Sequence, residues 1–237
     1  MNLFYFPEAK HGLLDLSEEE SKHCVRVLRM SVGDPIVFTN GKGWFFDGIL
    51  ATASPKRCQV DIIASHEEKV SRDFRIHIAL SPTKSLDRVE WFVEKSTEIG
   101  IDEISFFTSD FSERKALNID RLNRVAVAAM KQSLKSRLPV LNEMVSFRQF
   151  IHHEMKGQKF IAWIDEGVQT LLVNQVNPST EVTVIIGPEG DFSANEVKTA
   201  RSNGYIPVSL GTSRLRTETA ALVSCQTIQL INQIHQK

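Results

Sequence analysis

Glu189, Asp191, Arg214, Arg216 and Glu218 stand close together in this chain, interleaved with Gly187, Gly190 and Gly211. Carboxylates accept protons and hydrogen bonds, while a guanidinium keeps its charge and offers a planar fork of donors. Glycines let a bound group come up against the backbone. Such a set can grip a polar ligand. It can equally be structural: Arg216 and Glu218 can pair with each other, and Glu218 can complement a helix dipole. Spacing alone leaves both readings open.

The elements that must position these residues are legible around them. Positions 182 to 186, Val-Thr-Val-Ile-Ile, are rich in β-branched residues, as a buried parallel strand is. They run into Gly187-Pro188-Glu189-Gly190, a turn whose glycines permit positive φ or close backbone approach. Ser193 at the N-cap and Glu196 at N3 form a capping box for a helix reaching about Asn203, with Gly204 beyond its end. A second strand, Ile206 to Leu210, ends at Gly211. Thr217 or Thr219 then caps a last helix with Ala221, Leu222, Cys225, Ile228 and Ile231 at helical spacing. Both strands thus lead through glycine turns toward helix N-termini. In open α/β sheets, ligands sit outside the carboxyl ends of the strands, which makes this a predicted binding rim.

Upstream, strand and helix patterns alternate from residue 74. A strand over Phe74 to Leu80 precedes a helix with Leu86, Val89, Phe92, Val93 and Ile99 on one face, ended by Gly100. A strand at Glu103 to Thr108, a helix capped by Asn118 and running to about Lys135, and a strand over 160–164 follow. The alternation predicts a parallel α/β sheet. Residues 1–72 read as a separate small domain, with short strands at Pro35 to Thr39, Trp44 to Ala51 and Cys58 to Ala64, the pattern of a small β-barrel. Its helix opens at Ser17 and carries Lys22, Arg26 and Arg29 at spacings that share one face, which suits a phosphate backbone. Residues 66–73 are polar and form the expected linker, leaving 73–237 as the second domain.

Composition narrows the chemistry. A net charge of −1 excludes a strongly basic nucleic-acid binder, though not one with a local basic patch. The phosphate loop GxxxxGK[ST], the dinucleotide turn GxGxxG and the nucleophile elbow GxSxG are all missing from the sequence. His152 and His153 are adjacent and cannot converge on one metal, so no metal site is expected. The 3 cysteines, Cys24, Cys58 and Cys225, are read as free buried thiols. Neither a signal peptide nor a membrane span is apparent, so a cytoplasmic location is expected.

Ile186-Gly187-Pro188-Glu189-Gly190, the Leu210-Gly211 turn and Leu215-Arg216-Thr217-Glu218-Thr219-Ala220 together resemble the RsmE family of SPOUT-class RNA methyltransferases. Val27-Leu28-Arg29, Lys95 with Glu98-Ile99-Gly100, and Gln132-Ser133 ahead of Arg137-Leu138-Pro139 extend the resemblance over nearly the whole chain. It departs where Asp191 follows Gly190, since the family pattern commonly continues in glycine. The resemblance implies a PUA-like N-terminal β-barrel and a C-terminal α/β domain tied in a trefoil knot, here about 182–224. It implies S-adenosyl-L-methionine as cofactor, held by Ile186, Gly187, Pro188, Glu189, Gly190, Leu210, Gly211, Arg214 and Leu215. A homodimer with its active site near the subunit interface is implied as well.

The implied reaction is methylation of N3 of a uridine in small-subunit ribosomal RNA. Under it, Arg216 stabilises a carbonyl oxygen of the uridinate. Glu218 is the base or the group that orients Arg216, with Glu189 in reserve, and Lys22, Arg26 and Arg29 hold RNA phosphates. Two further readings are a SPOUT 2′-O-ribose methyltransferase and an RNA-binding assembly factor without catalysis.

Overall fold

A computed structural model describes residues 2–68, 72–163 and 170–235. Two units each enclose a sheet: residues 1–70 with 130–138, and residues 71–129 with 139–237.

In the first unit, β1 (Leu3–Tyr5), β2 (Gly12–Asp15), β3 (Pro35–Thr39), β4 (Trp44–Thr52) and β5 (Gln59–Glu67) pair in the order β1-β3-β4-β5-β2. Only β1 and β3 run parallel. Among the described residues no ladder joins β1 to β2, so the expected barrel is not closed by backbone hydrogen bonds. Phe4, Ile36, Phe38, Leu50, Val60 and the thiols of Cys24 and Cys58 fill its core. The expected linker is corrected at its start, because β5 continues through Glu67; positions 69–71 lie outside the described residues.

The basic helix also differs from expectation. Helix α1 (Glu18–Lys22) starts as read, with the Ser17 hydroxyl accepting from the Glu20 amide at 3.2 Å. It then widens into a π-helical turn over His23–Val27, where the Leu28 amide donates to the His23 carbonyl. Arg29 follows in the left-handed region at φ 56°. The three cations therefore do not form one α-helical row: Lys22 closes α1, Arg26 lies in the π turn, and Arg29 is past both.

Residues 130–138 return to this unit from far along the chain. Thr39 Oγ1 donates to the Ser136 carbonyl, the Gly43 amide to the same oxygen, and the Leu138 amide to the Gly41 carbonyl. Lys131 Nζ reaches Glu20 at 2.9 Å.

The second unit carries β6 (Arg75–Leu80), α2 (Leu86–Ile99), β7 (Glu103–Thr108), α3 (Ile119–Gln132) up to Ala129, β8 (Val140–Ser146), α4 (Phe147–Ile151), β9 (Gln158–Ala162), β10 (Glu181–Ile186), α5 (Ala194–Ser202), β11 (Ile206–Val208) and α6 (Thr217–His235). Its six strands are all parallel, in the order β11-β9-β10-β6-β7-β8. The predicted strand over 160–164 sits two positions earlier as β9, and position 164 lies outside the described residues. Strand β8 and the boxed cap of α4, Ser146 with Gln149, went unread. Gly100 ends α2 at φ 107°, and Asn118 caps α3 through the Arg121 amide. One face of the sheet packs Phe107, Phe147, Phe150, Phe192, Val197 and Tyr205; on α6, Ala221, Cys225, Ile228 and Ile231 are buried.

At the amino ends of the strands, His77 is buried, with Nδ1 3.2 Å from Thr183 Oγ1 and Nε2 2.9 Å from Ser105 Oγ. Burial pushes its pKa down to about 4 from 6.5. The unfolded chain therefore takes up a proton near pH 6.5 that the folded chain refuses until about 4, so stability is full above that window and falls through it. The expected loss between pH 7 and 4 is on the order of 3 kcal/mol. Urea unfolding midpoints across that range should show it, and His77→Gln should flatten the curve.

Candidate active site

Strands β9, β10 and β11 are neighbours, and their carboxyl ends open into a cleft of about 1020 Å³. The turn after β10 and the segment after β11 form most of its wall: Ile186 to Asp191 and Val208 to Thr217, with Ala162, Trp163 and Leu171 beside them. Local sequence explains this placement. Strand β10 is buried through Ile186 and must turn at once, and the Asp191 amide closes that turn on the Pro188 carbonyl at 2.9 Å.

The two glycines of the turn serve close approach rather than unusual torsion. A Cβ on Gly187 would lie 3.2 Å from the Asp191 carbonyl carbon and from Phe192 Cδ2, and one on Gly190 would lie 3.0 Å from Phe111 Cβ. Left-handed backbone falls instead on Asp191, at φ 61°. Aspartate tolerates that region better than most residues, and this is the position where the family pattern commonly has glycine. Gly211, by contrast, needs its φ of 122° and has open space around it.

Two ties hold the cleft walls in register. Thr217 Oγ1 donates to the Gly187 carbonyl at 3.1 Å and fastens the β10 turn; Thr217 begins α6 and Thr219 lies within it, so neither of the two threonines expected to cap the helix precedes it. The capping box of α5 is present as read, with Ser193 Oγ accepting from the Glu196 amide and Glu196 Oε2 accepting from the Ser193 amide. Glu196 has a second task. Its Oε1 accepts from the Asp110 amide at 3.0 Å, and Ser193 Oγ donates to Asp110 Oδ2 at 2.6 Å, which fixes the loop after β7.

Every residue expected to hold the cofactor lines this one cleft: Ile186, Gly187, Pro188, Glu189, Gly190, Leu210, Gly211, Arg214 and Leu215. Arg216 lines it as well, and its exposed side chain has no hydrogen-bond or ion-pair partner among the described residues. Glu218 does not. Its side chain is only 8% exposed and pairs with Arg88 on α2, Nε to Oε1 at 3.7 Å, rather than with Arg216. Its other oxygen, Oε2, is buried without a hydrogen-bond partner among the described residues. Among the described residues two carboxylates do line the cleft: Glu189, whose Oε1 accepts from the Lys84 amide at 3.2 Å, and Asp191, whose Oδ1 accepts from the Phe192 amide at 2.8 Å.

In the first unit, Lys22 and Arg26 line a groove of about 460 Å³ together with His23, Glu19, Glu20 and Val27. Lys131 completes it. Sequence reading missed Lys131, because nothing local marks a residue of α3 as a neighbour of α1. Arg29 lies outside the groove lining.

Similarity to known proteins agrees with the geometry. The family model of the RNA methyltransferase domain matches residues 70–229, and that of the RNA methyltransferase PUA domain matches residues 16–63. A probable rRNA-methyltransferase of Porphyromonas gingivalis has a solved structure 40% identical to this chain, covering 100% of both chains with a TM-score of 0.93. The structure of ribosomal RNA small subunit methyltransferase E from Neisseria gonorrhoeae, bound to S-adenosyl methionine, is 26% identical over 98% of each chain, with a TM-score of 0.88. Ribosomal RNA small subunit methyltransferase E of Buchnera aphidicola is 25% identical, over 97% of this chain and 88% of its own.

Proposed function

The chain belongs to the RNA methyltransferase family that includes the RsmE enzymes, and from that premise we propose that it methylates N3 of a uridine in small-subunit ribosomal RNA. The carrying observation is that the GPEG motif and the first three residues of LRTETA meet on one cleft at the carboxyl edge of β10, whose wall holds an arginine with no side-chain partner among the described residues. Its size and its mixture of apolar side chains with turn backbone fit S-adenosyl-L-methionine. Ile186 to Gly190, Leu210, Gly211, Arg214 and Leu215 would hold it, by close main-chain approach. When bound, the cofactor supplies an electrophilic methyl group on a sulfonium.

The chain's own residues must make N3 a nucleophile. The imide N3 carries a proton and its lone pair is delocalised, so the proton must leave and the charge spreading onto O2 and O4 must be stabilised. Arg216, charged and free to turn its planar fork into the cleft, takes the oxygen. Glu189, one of the two carboxylates lining the cleft, takes the proton. Glu218 acts at one remove: paired with Arg88, it anchors the first turn of α6 and thereby sets the direction of Arg216. The proposal includes the trefoil knot over 182–224, a homodimer with the cleft near its interface, and a cytoplasmic setting beside the ribosome.

The first unit, in this reading, is the RNA-holding PUA-like domain. Charge reversal of Lys22 and Arg26 together should weaken RNA binding and reduce the log-log salt slope by about 1–2, as expected for two lost phosphate contacts. Arg29→Glu should do less, since Arg29 lies off the groove. Filter binding at several salt concentrations checks both, and an unchanged slope in the double variant would remove the groove from the RNA path.

Nucleoside mass analysis tests the reaction itself. Small-subunit RNA from cells lacking the gene should lose one N3-methyluridine, and purified protein with S-adenosyl-L-methionine should restore it to the unmodified subunit. Restoration of a ribose-methylated nucleoside instead would move the chemistry to the sugar hydroxyl.

A further inference from the structure

Phe111 stands in the loop after β7 and is 53% exposed. Phe107 and Phe192 are buried in the core cluster, and Phe111 is not among its members. The loop that carries it is tightly held. The Ser112 amide donates to the Ser109 carbonyl at 3.1 Å, and Ser112 Oγ accepts from the Ser109 amide at 2.7 Å and lies 2.6 Å from Ser81 Oγ. On the other side, Asp110 is clamped by Ser193 and Glu196. So an exposed apolar residue is carried on a loop that polar contacts hold on both flanks. Gly190 connects it to the cleft: Gly190 lines the cleft wall, and a Cβ there would meet Phe111 Cβ.

An enzyme that modifies N3 faces a geometric demand. N3 lies on the pairing edge of uracil, so the base must leave its partner and its stack before reaction. A base held out of the helix is commonly gripped by stacking on an aromatic face. Resting on the function proposed above, we infer that Phe111 is the stacking platform for the target uracil and holds the base at the cleft mouth. It is a positioning residue: the ring presents a π face, and recognition of the uracil edge is left to Arg216 and Glu189.

The test compares Phe111→Ala, Phe111→Leu and Phe111→Tyr by steady-state kinetics on the unmodified small subunit, with cofactor affinity measured by calorimetry and assembly state by sedimentation. Expected for Ala is a roughly 10- to 100-fold fall in kcat/KM for the RNA substrate, with cofactor affinity unchanged. Tyr, which keeps the π face, should stay near the parent, and Leu, which keeps bulk alone, should fall with Ala. Parent-like kinetics in Ala, or Leu matching Tyr, would overturn the inference. So would a change of sedimenting mass in Ala, which would make the ring a self-association contact. If the parent protein transfers no methyl to uridine, the functional reading fails by itself. RNA affinity of parent and Ala then decides on the ring, equal affinities being against it.

Discussion

Arg216→Ala is expected to lower kcat by roughly 10²- to 10³-fold, the usual cost of removing one donor to a developing oxyanion, while the dissociation constant for S-adenosyl-L-methionine stays within about threefold. The reasoning is structural. Arg216 lines the cleft, its side chain is exposed, and no described residue depends on it for a hydrogen bond or an ion pair. Its backbone carbonyl, which accepts from the Ala220 amide at 2.7 Å, survives the substitution, so the start of α6 should be undisturbed. Arg216→Lys should recover part of the loss, because charge remains but the planar fork does not. Single-turnover kinetics beside calorimetry separate the two effects. Matching losses in turnover and cofactor affinity would show that Arg216 holds the cofactor and not the base. Glu218→Gln offers a contrast: removing the charge from a buried carboxylate that faces Arg88 should lower stability as well as turnover.

Gly157→Ala is expected to be the most damaging single methyl among the described glycines of the second unit. Gly157 has φ 72°, and a Cβ there would sit 2.0 Å from the Glu181 carbonyl oxygen. That oxygen belongs to the first residue of β10, and Gly157 immediately precedes β9, so the overlap drives apart two paired strands at their entry. A left-handed alanine alone costs about 1 kcal/mol, and displacing strand backbone should bring the total to about 3 kcal/mol or more. For a chain of this length that corresponds to a melting temperature lower by roughly 6–12 °C. Gly204→Ala is the internal control. It shares a positive φ, 83°, but its added Cβ would meet only the flexible end of Lys159, at 3.4 Å. It should lose only the torsional part. Calorimetric melting of both variants settles the comparison, and equal losses would mean that the β9–β10 entry gives way without cost.

What the sequence disclosed and what it hid divide along the range of the forces involved. The β-branched run of β10, the Ser193–Glu196 box, the Asn118 cap and the Gly100 stop act within a few residues, and each was legible. The cleft lining was legible for a different reason: the motifs match a known family. Strand β8 was not, since its side chains are largely half-buried and give no clean alternation. Nor was the π turn at His23–Val27, because a residue count along an ideal α-helix places Arg29 on a face that the real chain never forms. The partnership of Glu218 with Arg88 joins the first turn of α6 to α2, and no local pattern reports such a pairing. Asp191 is an intermediate case. The departure from glycine was visible, but only the backbone shows that an aspartate carries the left-handed torsion there.

The return of residues 130–138 into the first unit has a consequence for how the protein comes into being. The buried bond from Thr39 to Ser136 and the backbone bridges of Gly41 and Gly43 to Leu138 and Ser136 complete a structure whose other parts lie before residue 71. As the chain leaves the ribosome, the N-terminal sheet emerges early yet must wait with an open seam until α3 has been made. Domains usually mature in the order of synthesis, whereas here the first to appear cannot be the first to finish. A gene fragment ending at the apparent boundary would for the same reason encode an unsealed module, and an isolated RNA-binding piece would have to carry the 130–138 segment grafted back onto it.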